Sequence, residues 1–222
     1  MTFPNAANGV KKLFVGEILA LIAALAAGCS IIFSKPVVSG EEIVDFAAKG
    51  NEITIVAILL SVSGIIALIA CILQLVGIAK AAKDEEAFKG ALYMILCSVV
   101  VAIAGAALAY LFPNSNIISN IGTVVSNLLE IIITFLVIGG IANLGAKLSD
   151  TALQEKAGKL LGIIVTVIVL RFIANVVLLL FKENIAEVVV TILGVVVVIL
   201  SLVQYIMYLS LLSKAKNTLE SK

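Results

Sequence analysis

Histidine is missing from this chain altogether, and arginine occurs once, as Arg171. Without an imidazole there is no Ser-His pair, no histidine-ligated haem and none of the usual zinc sites. Cys29, Cys71 and Cys97 form an odd, scattered set inside apolar stretches, with neither a disulfide framework nor metal-ligand spacing. They read as small hydrophobic side chains. Charge is thin as well: Asp, Glu, Lys and Arg make up 13% of the residues, about half the usual share. The net charge of +1, spread over several segments, leaves no basic patch for nucleic acid. There is no glycine-rich loop to cradle a phosphate, since Gly139-Gly140 falls inside an apolar run. The loops hold no carboxylate cluster with metal-site spacing. These absences speak against an enzyme and against any resident cofactor or metal.

What fills the chain is apolar sequence. Hydrophobic residues reach 62% and the mean hydropathy is +1.24, far above soluble domains. Six runs match the roughly 20 residues that cross a hydrocarbon core. They fall at about 13–33, 53–79, 91–112, 118–146, 160–181 and 185–212. Lipid offers no hydrogen-bond partner to an open strand edge, so each must be a helix. The expectation is an all-α integral membrane protein of about six transmembrane helices, with residues 1–222 as one polytopic domain.

Lysine placement predicts the orientation. Eleven lysines lie in the termini and the second and fourth gaps, against three (Lys35, Lys49 and Lys182) in the other gaps. Such asymmetry in short loops puts both termini in the cytoplasm of a plasma-membrane protein. Pro113-Asn114-Ser115-Asn116 and Lys182-Glu183-Asn184 are short enough to force antiparallel hairpins. In the longer loop, Ser39-Gly40-Glu41-Glu42 has capping-box spacing, with Ile43, Val44, Phe46 and Ala47 following and Gly50 placed as a C-cap. That pattern predicts a short amphipathic helix on the outer surface.

The chain also resembles itself. Gly77-Ile78-Ala79-Lys80 aligns with Gly140-Ile141-Ala142-Asn143, and Lys83–Lys89 lies beside Asp150–Lys156. Three consecutive helical hairpins of roughly 65 residues each would explain this; chance alignment of low-complexity apolar sequence is the alternative. Mitochondrial carriers also have three two-span repeats, but the proline, acid and base that end their odd spans have no counterpart here.

Polar and small residues recur at helical spacing. On the sixth span Glu187, Thr191, Gly194, Ser201, Tyr205 and Tyr208 fall on one stripe, which reads as a helix-packing face or a solute path. Glu130 and Arg171 sit within the fourth and fifth spans, with Asn127 and Asn175 one turn from each. A charge at the centre of a span costs about 2.5–3.5 kcal/mol on insertion scales, so each needs a partner. The expectation is an ion pair between Glu130 and Arg171, with a solute or proton site as the alternative. Glu17, shortly after Lys12, reads as an interfacial carboxylate. Leu25-Ala26-Ala27-Gly28-Cys29 looks like a lipoprotein cleavage site, but Glu17 in the apolar stretch favours a retained first span.

Together these features suggest a non-catalytic membrane subunit or scaffold. Its partners would be the lipid bilayer and another membrane protein or further copies of itself. A small-solute or ion carrier using Glu130 and Arg171 is the second reading.

Overall fold

The computed structural model describes residues 2–32, 35–39, 42–47, 51–111, 116–180 and 183–221. Among them are six α-helices: α1 (Pro4–Ile32), α2 (Asn51–Ala81), α3 (Glu86–Leu111), α4 (Asn116–Lys147), α5 (Thr151–Leu180) and α6 (Glu183–Glu220). All six contain stretches long and apolar enough to cross a membrane. The protein is an all-α, multi-spanning membrane protein. Many of its span residues are Ile and Val, which favour strands in water. In lipid the demand for internal backbone hydrogen bonds overrides that preference.

The helices run past the predicted spans at the lysine-rich end. Pro4 takes the first helical position of α1, where its missing N–H costs nothing, so the helix starts ahead of Lys11 and Lys12. At the other terminus α6 continues to Glu220.

The loop between α1 and α2 differs from expectation. Where a short amphipathic helix was predicted, β1 (Lys35–Ser39) and β2 (Glu42–Ala47) pair antiparallel, from Lys35 with Ala47 to Ser39 with Glu42. A register shift falls between Val37 and Val38. The physical reason is composition: Val37, Val38, Ile43, Val44 and Phe46 are strand formers, and a helix of about two turns is marginal without a packed face. Gly40, Glu41 and Gly50, on which the capping argument leaned, lie outside the described residues, as do residues 113–115 and 182 of the two short turns.

The chain divides into two compact units, residues 11–77 and residues 1–10 with 78–222. In the first, α1 and α2 form an antiparallel hairpin. Ser63 Oγ donates to the carbonyl of Ala23 at 2.9 Å, and Gln74 Nε2 donates to Glu17 Oε1 at 3.0 Å. Gly16 permits the close approach, because a Cβ there would lie 2.8 Å from Gln74 Cγ and 3.1 Å from the Ala70 carbonyl oxygen.

In the second unit α3 packs on α4, α5 on α6, and α4 on α5. Its fully buried side chains include Phe88, Ile138, Ile141, Leu144, Leu153, Leu160, Leu211 and Leu212. All belong to the lysine-rich half of their helices. Toward the other end, Val100, Ile103, Leu111, Ile121, Phe172, Ile192, Val195 and Val198 are exposed. Water explains the asymmetry. The hydrophobic effect buries apolar side chains where helix ends protrude toward water, but supplies no comparable drive between helices already surrounded by lipid.

Candidate functional site

Two places in the second unit gather polar groups: the lysine-rich helix ends, and a cavity beside Arg171.

At the helix ends, carboxylates of the inter-helix loops serve as caps. Asp84 receives the Asn5 side-chain amide at 3.0 Å and the backbone N–H of Ala6 at 2.8 Å, which satisfies a first-turn donor of α1. Glu85 begins α3. Its carboxylate accepts from Asn143 Nδ2 at 3.0 Å and pairs with Lys147, both on the last turns of α4. Lys147 in turn lies 5.8 Å from the centroid of the Phe3 ring, a cation–π distance. Asp150 caps α5 by accepting the N–H of Leu153 at 2.9 Å. Its Oδ2 accepts from Thr218 Oγ1 at 3.0 Å, and Lys214 Nζ stands 3.7 Å from the Oδ1 that receives Leu153. Glu85 and Asp150 therefore do the same work one hairpin apart: each starts an odd helix and ties down the end of the following even one. Phe88 and Leu153, three residues on from each acid, are both fully buried. This correspondence is two residues out of step with the Lys83–Lys89 and Asp150–Lys156 alignment.

Burial alone would raise both carboxyls. For Glu85 it is outweighed by the hydrogen bonds from Lys147 and Asn143, the Lys147 charge and the Ala87 N–H, so its pKa falls below the ordinary value. For Asp150 the Leu153 N–H, the Thr218 hydroxyl and Lys214 have the same net effect. Both stay ionised at neutral pH. They are caps and clamps.

The second place is a cavity of about 240 Å³ between α5 and α6, lined by Arg171, Ala174, Val190, Leu193, Gly194 and Val197. Its walls are aliphatic apart from the guanidinium.

The predicted site residues are distributed differently from expectation. Glu130 and Asn127 are exposed on α4. Arg171 faces the α6 side of its helix, and no ion pair joins it to Glu130 among the described residues. Among the described residues, both charges lie beyond the last buried side chains of their helices, Val137 on α4 and Val167 on α5. The side chains of Asn175 and Glu187 lie outside the described ones. On α6, Thr191 and Gly194 are exposed, while Ser201, Tyr205 and Tyr208 are half-buried. Elsewhere, hydroxyls turn back on their own helices: Thr134 Oγ1 donates to the Glu130 carbonyl at 2.9 Å and Thr166 Oγ1 to that of Gly162 at 2.9 Å. The three cysteines are exposed at the helix surface, on apolar spans where a thiol serves as a small hydrophobic side chain. No metal-binding group of His, Cys, Asp and Glu occurs among the described residues.

Asp84, Glu85 and Asp150 are not singled out by sequence reasoning. Glu85 and Asp150 carry a local signal, since each stands just ahead of a new apolar run, where an acid caps a helix, whereas Asp84 caps the distant start of α1. Compared with known proteins, the chain matches no family model, no curated protein and no solved structure.

Proposed function

We propose that this protein is a non-catalytic membrane subunit or scaffold of the plasma membrane, with both termini cytoplasmic. Its partner is a second membrane protein or another copy of itself. The observation that carries this reading is that, among the described residues of α3 to α6, tight packing is concentrated toward the lysine-rich ends. Asp84, Glu85 and Asp150 there are engaged in holding helices together. The opposite halves of α3 to α6 present apolar surface, with Val100, Ile103, Ile121, Phe172 and Ile192 exposed, against which another membrane helix can pack.

A second reading, a carrier for a small solute or ion, is favoured by the exposed carboxylate of Glu130 and the cavity at Arg171. The two separate in liposomes. Under the scaffold reading, vesicles holding the purified protein leak protons and potassium no faster than protein-free vesicles, and the protein runs in native gels above its monomer mass. A flux that Glu130→Gln abolishes, in a mutant that still melts like wild type, would overturn the scaffold reading in favour of the carrier.

A further inference from the structure

We infer that the cavity between α5 and α6 is a binding site for an anionic membrane lipid, whose phosphate pairs with Arg171 while an acyl chain lies along the aliphatic wall. The argument begins with charge. Arg171 is the only arginine, and no carboxylate pairs with it among the described residues. A guanidinium is always protonated and offers five donors in a plane, so inside a bilayer it needs an oxyanion within reach. The matching occupant is one whose headgroup oxygens accept from that fork.

Shape adds the second half of the argument. The cavity volume is about 240 Å³, far more than the roughly 30 Å³ share of a single water. Ala174, Val190, Leu193 and Val197 give it an apolar wall that a small polar solute or free phosphate would not fill favourably. The space at Gly194 is open, since a Cβ built there meets no atom within 4 Å, and a larger side chain has room to enter it. An amphiphile with a negative head and a hydrocarbon tail satisfies both surfaces.

Depth is consistent with such a ligand. Nine residues separate Arg171 from the end of α5 at Leu180, about 13–14 Å along the axis at 1.5 Å per residue. A long side chain that snorkels along the helix shortens that distance to the headgroup level. The inference stands apart from the choice between scaffold and carrier, because a bound lipid is compatible with either.

The test is thermal unfolding of the full-length protein in detergent, with phosphatidylglycerol, phosphatidylcholine or inorganic phosphate added. Phosphatidylglycerol at about a hundredfold its dissociation constant is expected to raise the melting temperature by roughly 5–10 °C, with no response to the other two. Arg171→Met, which keeps the chain length and removes the charge, should abolish the shift. Gly194→Leu fills the cavity and leaves Arg171 untouched. It should also abolish the shift while melting near wild type without lipid, which covers the case that Arg171→Met fails to fold. A phosphatidylglycerol shift that survives Gly194→Leu overturns the site, and an equal response to inorganic phosphate or phosphatidylcholine overturns the assignment to an anionic lipid.

Discussion

Ser149 sits in the left-handed region, with φ at 55°, at a position where helices usually place glycine. The hydrogen bonds show why the chain turns there. The N–H of Asp150 reaches the Gly145 carbonyl at 2.9 Å and that of Ser149 reaches Ala146 at 3.1 Å, the paired bonds of a Schellman end. A Cβ in that region is strained, and Ser149 is exposed, so nothing else depends on its side chain. Ser149→Gly is expected to stabilise the protein by about 0.5–1 kcal/mol, read as a higher melting temperature. The acids that flank such turns make a second prediction. Glu85 and Asp150 have folded pKa values below the ordinary carboxylate range. Their contribution is therefore complete above the unfolded value of about 4 and is lost as pH falls through the lowered folded values. In that window the unfolded chain binds more protons, and stability rises with pH. Melting temperatures taken between neutrality and about pH 3 should fall less steeply in the double variant Glu85→Gln, Asp150→Asn than in wild type. Equal slopes would show that these two acids do not carry the acid sensitivity.

At the scale of the helices, contact between neighbours is set by where a side chain is missing. A Cβ at Gly140 would lie 2.7 Å from the Phe88 ring, and that ring is fully buried with no room to swing aside. One residue earlier, a Cβ at Gly139 meets nothing within 4 Å. Gly140→Ala should therefore destabilise the α3–α4 pair by about 1–3 kcal/mol through overpacking. Gly139→Ala should be neutral, or stabilising by up to about 1 kcal/mol from helix propensity. Equal effects at the two sites would mean that Phe88 does not hold the interface. Sequence periodicity shows two glycines inside a span and cannot say which of them faces a neighbour. The same limit explains the rest. Six spans are legible because bilayer thickness and backbone satisfaction leave helices as the sole option for runs such as 53–79. The hairpin at Lys35–Ala47 is misread because Ser39 and Glu42 have the spacing of a capping box, while strand propensity in the flanking Val and Ile residues decides the outcome. Glu130 and Arg171 are visible in the sequence as costly charges. Their partners depend on helix rotation and on where packing ends, and neither is encoded in spacing along one helix. The Glu85–Asn143–Lys147 cluster spans 62 residues and is hidden for the same reason. Only the position of its acid, ahead of an apolar run, is written locally.

Over the whole molecule, the lysine-rich ends combine the charges, the caps and the buried layer, and that coincidence bears on orientation. Lysines at helix ends would be expensive to move across the bilayer, and the proposed orientation therefore keeps them on the side where the chain is made. The β-hairpin belongs to the opposite, lysine-poor set of loops. Single cysteines read this directly once Cys29, Cys71 and Cys97 are replaced by alanine, and all three are exposed at the helix surface, where the change disturbs little packing. Lys83 and Glu155 are exposed near the start of α3 and on the first turns of α5. Lys83 has no role in the capping bonds, and Glu155 has only the surface pair with Lys159, which typically contributes at most a few tenths of a kcal/mol. A membrane-impermeant maleimide applied to intact cells should modify Asp45→Cys and leave Lys83→Cys and Glu155→Cys untouched until the membrane is opened. The inverse pattern would place the capped ends outside and contradict the lysine argument. Labelling of all three in intact cells would mean that the chain inserts both ways, because three lysines against eleven had not sufficed to bias it.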